Sequence, residues 1–166
     1  MTLQYRDANI EDLTAILEIY NSTVAGRTVT ADTEPVTIES RLNWFHQHEP
    51  VKRPLWIVEE QNNIIGWVSY QSFYGRPAYQ ETAEISIYLY EHTRGKGYGK
   101  EILQHGMNAC EKLGIKTLLG FIFGHNEPSI KLFAGLGFEE WGMFPRVAKL
   151  DGIERDLIIL GKRINQ

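Results

Sequence analysis

A chain of 166 residues fits one domain and is long enough to bury a sizeable core. Apolar residues at 43% and charged residues at 23% are ordinary for a globular protein, and a formal net charge of −4 speaks against a broad nucleic-acid-binding surface. The lone Cys110 excludes a disulfide framework within the chain, Arg6, Asp7, Glu11, Asp12 and Glu18 interrupt the segment a secretory signal would occupy, and no apolar run approaches bilayer length. These features predict a single domain over residues 1–166, soluble and cytoplasmic, with neither nucleic acid nor membrane as partner.

Leu3–Arg6 alternates weakly and predicts a first strand. Asn9 is placed to cap a helix, Glu11 and Asp12 suit its first turn, and Leu13, Ile16, Leu17 and Tyr20 follow at helical spacing. Val24–Pro35, rich in Thr and Gly and without a period, predicts a loop. Ile38, Leu42 and Phe45 mark a second helix that ends before Pro50. Leu55–Glu60 and Ile64–Ser72 predict a hairpin across Gln61-Asn62-Asn63. Phe73–Tyr79, with Gly75 and Pro77, reads as a loop, and Thr82–Tyr90 as a strand. A helix is predicted from about Lys96 to Leu113, with Ile102, Leu103, Gly106, Met107 and Cys110 on one face and Gly114 as its stop. Thr117–Phe123 predicts a strand, Pro128–Leu136 a short helix with proline at its start, and Phe138–Phe144 and Arg155–Leu160 the last strands. Consecutive strands in the middle and helices between later ones imply a mixed α/β sheet.

One segment carries chemistry. The strand ending near Tyr90 runs into Arg94-Gly95-Lys96-Gly97-Tyr98-Gly99-Lys100, and a helix begins inside it. A helix start offers unpaired N–H groups and a positive dipole end, glycines let the backbone come close to an anion, and Arg94, Lys96 and Lys100 add positive charge. A pyrophosphate is the natural guest. A P-loop would need Gly at 94 and Ser or Thr at 101, where Arg94 and Glu101 stand. The dinucleotide fingerprint has Gly-x-Gly-x-x-Gly after a first strand, whereas the spacing here is Gly95-x-Gly97-x-Gly99 in mid-chain. Alternation on the preceding strand puts Glu84, Ser86 and Tyr88 on one face and Ile85, Ile87 and Leu89 on the other. Such a polar face is either solvated surface or the lining of a site.

Arg94-x-x-Gly97-x-Gly99 resembles the acetyl-CoA signature of the GNAT superfamily of N-acetyltransferases, and the element order resembles its fold over nearly the whole chain. Asn126, Ser129, Leu132, Phe133, Gly137 and Phe138 resemble the later cofactor segment. Ile19-Tyr20-Asn21, Thr33-Glu34-Pro35, Arg76-Pro77-Ala78-Tyr79, Ala83 to Tyr88, and Gly142-Met143 leading to Asp156 are similar to the phosphinothricin and methionine sulfoximine acetyltransferases. The resemblance implies a mixed, mostly antiparallel sheet with a splayed strand pair, flanked by about four helices. It implies that Ile87, Tyr88 and Leu89 pair with the pantetheine arm of acetyl-CoA. Backbone N–H groups from Gly95 through Lys100 (Lys96, Gly97, Tyr98 and Gly99 among them) would hold the pyrophosphate beside Arg94, and Asn126 and Ser129 would contact the pantetheine. Glu84 would serve as the base for a directly attacking amine, with a backbone N–H near Ile87 at the oxyanion.

The same resemblance places acceptor contacts at Tyr74, Gly75, Arg76 and Tyr79, and it implies a homodimer. An arginine suits the carboxylate or phosphinate of an amino-acid-like acceptor. Arg27 is a weaker candidate, and Thr30, Glu34 and Arg146 stay open. Phe133 stands where many relatives have a tyrosine proposed to protonate the leaving thiolate, and phenylalanine has no proton to give, which leaves water, Tyr98 or His125. Other amines (a polyamine, an aminoglycoside, a protein N-terminus) and a non-catalytic acetyl-CoA-binding module are the competing readings. His46 and His48 lie two apart on a predicted helix, so they do not share a face; no metal site is expected, and both histidines are expected on the surface. Cys110, on the apolar face of the long helix, is read as core and not as a nucleophile, and Trp44, Phe45, Trp56 and Trp67 as core or interface.

Overall fold

The computed structural model describes residues 2–164. Seven strands form one sheet: β1 (Leu3–Asp7), β2 (Leu55–Glu60), β3 (Asn63–Ser72), β4 (Thr82–Leu89), β5 (Thr117–Phe123), β6 (Glu139–Leu150) and β7 (Ile153–Arg163), in the order β1-β2-β3-β4-β5-β7-β6. Four helices flank it: α1 (Leu13–Ser22), α2 (Ile38–His46), α3 (Tyr98–Ala109) and α4 (Glu127–Gly135). Every strand pair is antiparallel except β4–β5. That parallel pair is joined only from Thr82↔Thr117 to Glu84↔Leu119. Beyond Glu84 the two strands part, giving the splay that the resemblance implied. None of the described helices is long and apolar enough to cross a membrane.

Alternation along the strands divides the core into two layers. Val58, Val68, Tyr70 and Ile85 face α3, meeting Ile102, Leu103, Met107 and the buried Cys110. Ile57 and Trp67 face the other way, meeting Leu13, Ile16 and Ile19 of α1. Two buried polar tips on β3 find backbone partners. The Tyr70 hydroxyl donates to the Gly106 carbonyl at 2.7 Å, and Trp67 Nε1 donates to the Ile16 carbonyl at 3.1 Å. Gly106 lets α3 lie close on the sheet, since a Cβ there would stand 2.7 Å from Ile85 Cδ1 and 2.9 Å from the Tyr70 hydroxyl.

The ends of elements differ from the sequence reading where turn geometry decides them. The long helix begins at Tyr98 because Gly97, at φ 82°, holds a left-handed conformation that a helix interior does not tolerate. It ends at Ala109, four turn residues before Gly114. The last hairpin is longer than Phe138–Phe144 and Arg155–Leu160. Asp151 and Gly152 both have positive φ, which matches strand twist in a two-residue turn, and the pairing runs on to Leu150↔Ile153. Pro145 falls where that ladder shifts register, the position a sheet allows a proline.

Candidate active site

The splay leaves a cavity of about 690 Å³ between β4 and β5. It is lined by Ile87, Tyr88 and Leu89 on one side, by Asn126, Ser129, Leu132 and Phe133 on the other, and by Arg94, Gly95 and Gly99 at one end. Gly95 takes φ 75°, a Cβ on it would meet nothing within 4 Å, and α3 begins with no side-chain cap. The first N–H groups of α3 are therefore left for a ligand. Asn126 caps α4 by accepting from the Ser129 N–H at 3.4 Å. Phe133 packs its ring on Gly120, where a Cβ would lie 2.6 Å from Cε2, and edge-on against Phe138.

The other turn residues are placed differently. Gly97 and Lys100 line a second groove with Tyr5 and His105, and Lys96 is exposed. Tyr98 turns its hydroxyl to Glu60 at 2.5 Å, and His125 Nε2 meets the Arg27 carbonyl at 2.8 Å. The Tyr98 hydroxyl is thus committed to Glu60 and His125 Nε2 to a carbonyl, while His125 Nδ1 is buried without a hydrogen-bond partner among the described residues.

On the opposite face of β4 lies a cavity of about 210 Å³, lined by Glu84, Ser86 and Tyr88, by Trp67, Ser69 and Gln71 of β3, and by residues of α1 and α2 that include Tyr20, Arg41 and Trp44. Glu84 sits on the last rung that joins β4 to β5. Burial pushes its carboxyl up from its ordinary value to about 7, since no charged partner offsets the lost solvation. None of the side-chain hydrogen bonds and ion pairs among the described residues involves Glu84. Ser86 and Tyr88 line both cavities, so the two meet at β4.

Several expected acceptor residues lie elsewhere. Phe73, Tyr74 and Tyr79 form an aromatic cluster on the β3–β4 loop with Arg76 and Gly75 among them, and Tyr74 is 77% exposed. None of Tyr74, Gly75, Arg76 and Tyr79 lines the cavity that holds Glu84. Arg27 is spent on Asp151 at 3.0 Å and on the Thr33 carbonyl at 2.7 Å. Thr30 is buried against Tyr20, which also meets Asp32; Asp32 in turn holds Arg41 at 2.6 Å. The arginine that lines the cavity with Glu84 is thus Arg41, already paired with Asp32, and the sequence reading did not single it out. Its signal was a cation on the same helix as the periodic Ile38, Leu42 and Phe45.

His48 corrects the expectation of a surface residue. It lies past the end of α2 and is half-buried, with Nε2 2.7 Å from the Ser69 hydroxyl. His46 is exposed, as expected. No group of three or more His, Cys, Asp or Glu suited to a metal occurs among the described residues.

The sequence pattern of the acetyltransferase (GNAT) family matches residues 13–138. The chain is 53% identical over 166 residues to YwnH of Bacillus subtilis, a candidate phosphinothricin acetyltransferase, across 99% of this chain and 100% of that one. It is 30% identical over 161 residues to the L-methionine sulfoximine/L-methionine sulfone acetyltransferase of Pseudomonas aeruginosa, across 96% and 94% of the two chains. The crystal structure of a phosphinothricin acetyltransferase from Sinorhizobium meliloti, in complex with AcCoA, superposes with a TM-score of 0.90 at 30% identity, across 98% and 89%.

Proposed function

The chain belongs to the GNAT family of acetyltransferases, and we propose that it moves an acetyl group from acetyl-CoA to the amine of a small amino acid of the phosphinothricin, methionine sulfoximine or methionine sulfone type. The observation that carries this reading is the place of Glu84, on the last rung before the splay and beside the point where two cavities meet. One cavity suits a long ligand with an anionic end and the other a small polar one.

The larger cavity fits acetyl-CoA. Its volume lies within the range of pockets that enclose drug-sized ligands, and its glycine-lined end presents Arg94 and an uncapped helix start to an anion. Gly95 and Gly99 would hold the pyrophosphate with their N–H groups, with Gly97 setting the turn, and Lys96 and Lys100 adding positive charge outside. Ile87, Tyr88 and Leu89, freed from β5, would pair with the pantetheine; Asn126 and Ser129 would flank it. When bound, acetyl-CoA supplies a thioester carbon open to attack by an amine.

Glu84 takes the proton that the ammonium form of the acceptor must lose before it can attack. A carboxyl near 7 is matched to that task at neutral pH, because a substantial fraction is ionised and that fraction is a stronger base than an ordinary carboxylate. Phe133 gives no proton, and with the Tyr98 hydroxyl turned to Glu60 the departing thiolate is left to water or His125.

The smaller cavity lies below the usual range for drug-sized ligands, which favours a free amino acid over an aminoglycoside or a peptide end. Arg76, Tyr74, Gly75 and Tyr79 form a rim that would meet the acceptor's outer end. One sheet shared by all seven described strands supports a single domain over residues 1–166. Trp141, Met143, Phe144 and Val147 expose apolar surface on β6 and support a homodimer, and a free Cys110 is at home in the cytoplasm.

Thiol release from acetyl-CoA with a panel of amines tests this reading. Methionine sulfone, methionine sulfoximine and phosphinothricin are expected to outrun polyamines, aminoglycosides and peptides. An enzyme that binds acetyl-CoA but releases no thiol above buffer with any amine would overturn it.

A further inference from the structure

Ser69 is one of the most enclosed polar side chains in the molecule, 1% exposed, and it lies on the floor of the cavity that holds Glu84. Its hydroxyl is 2.7 Å from His48 Nε2. The other ring nitrogen of His48, Nδ1, is 3.2 Å from the Phe45 carbonyl. A carbonyl only accepts, so Nδ1 carries the ring proton, and in the neutral imidazole Nε2 is then an acceptor. The Ser69 proton must therefore point at His48. Trp44 stands edge-on to the imidazole at 4.9 Å and limits its rotation.

This arrangement decides what Ser69 offers to the cavity. A serine hydroxyl is ordinarily both donor and acceptor. With its proton committed to His48, Ser69 can present only lone pairs. Across the sheet Ser69 lies directly opposite Ser86, and Gln71 lies opposite Glu84, so Ser69 and Glu84 are diagonal neighbours on one face. Such neighbours have Cα atoms about 7–8 Å apart, near enough for one nitrogen to reach both oxygens at ordinary hydrogen-bond lengths of roughly 3 Å each. An ammonium has three donors and no acceptor. It fits between a carboxylate and a hydroxyl that can only accept, at the side of the cavity where Ser86 opens toward the splay.

We infer that Ser69, its proton held by His48, is the second acceptor that grips the amine of the acceptor substrate beside Glu84. Ser69 is then a binding residue for the reacting nitrogen and His48 a positioning residue that acts through it. The inference rests on the acetyl-transfer reading above, and it concerns only how the amine is held.

The test is steady-state kinetics with methionine sulfone and acetyl-CoA as varied substrates, on the wild type and on Ser69→Ala, His48→Phe and His48→Gln. Ser69→Ala is expected to raise KM for the acceptor about tenfold or more, the loss of one hydrogen bond to a charged group, while KM for acetyl-CoA stays within twofold. His48→Phe should act in the same direction, because the Ser69 proton is released to face the ammonium. His48→Gln, whose side-chain oxygen can accept from Ser69, should recover much of the loss. A mere packing role would disturb both substrates, or would leave Phe better tolerated than Gln. If the wild type is active and acceptor KM is unmoved in Ser69→Ala, the inference is overturned and the enzyme reading stands. The same holds if Phe and Gln at position 48 are equivalent. A wild type that acetylates no amine removes both together.

Discussion

As the proposed base, Glu84 would carry two opposed demands. Burial raises its carboxyl to about 7, which makes a usable base and an unfavourable anion. Because the folded value lies above the unfolded one, the native state binds the extra proton between the two. Stability is therefore highest below the unfolded value and falls as pH rises through about 7. Activity should run the other way, climbing through the same window as the base ionises. Replacing the carboxylate with an amide separates the two effects. Glu84→Gln is expected to lower kcat by about a hundredfold or more and to flatten the pH limb near 7, with acetyl-CoA affinity unchanged. The same variant is expected to melt at a higher temperature than the wild type at pH 8 and to lose that advantage near pH 5. Rate profiles and thermal melts at the two pH values check both statements, and an unaltered rate profile would remove Glu84 from the mechanism.

The elements of the site were legible in the sequence to different degrees. The glycine-rich turn is local: its residues are adjacent, its charge is concentrated, and the strand and helix on either side have clean periods. Alternation alone puts Glu84, Ser86 and Tyr88 on one face, and the family resemblance singles out Glu84 on it. Its neighbours across the cavity could not be read this way, because Arg41 and Trp44 reach the lining, and His48 reaches Ser69, through the packing of α2 and the turn after it against β3, and nothing in a one-dimensional period says which helix covers which strand. The sequence clue was Ser69 and Gln71, polar residues inside an otherwise apolar strand. The hairpin β6–β7 was under-read because its exposed apolar residues break the alternation that marks a one-sided strand. Close packing also makes a prediction at this scale. A methyl group at Gly120 would stand 2.6 Å from the Phe133 ring, which lines the larger cavity and is backed by Phe138. Gly120→Ala should therefore push the ring into the cavity, lowering acetyl-CoA affinity about tenfold at a stability cost of about 1–3 kcal/mol. Calorimetric titration with acetyl-CoA reads the first and urea unfolding the second.

For the molecule as a whole, the sheet is lopsided. Its β1 end is tied down by Arg6, which holds Asp12 at 2.7 Å beside the start of α1, whereas its β6 edge ends in exposed Trp141, Met143, Phe144 and Val147. Edge strands of that kind are normally charged, covered or paired. If a second copy of the chain covers this one, sedimentation should show a dimer, and Phe144→Glu should sediment as a monomer that still binds acetyl-CoA. A wild type that sediments as a monomer at all accessible concentrations would rule out the dimer.

The three rungs from Thr82↔Thr117 to Glu84↔Leu119 also mean that the sheet is two half-sheets sharing a short seam. Past that seam β4 and β5 each carry an unfinished edge, turned inward. The cosubstrate would close that gap like a suture, completing a ladder the polypeptide leaves open, and its departure would unpick it each cycle. Amide exchange should record this: the β4 amides from Ile87 to Leu89 should become slower to exchange on adding acetyl-CoA, while those of β2, far from the seam, keep their rates. On this reading, the part of the molecule proposed to do the chemistry would also be the part whose secondary structure is finished only by what it consumes.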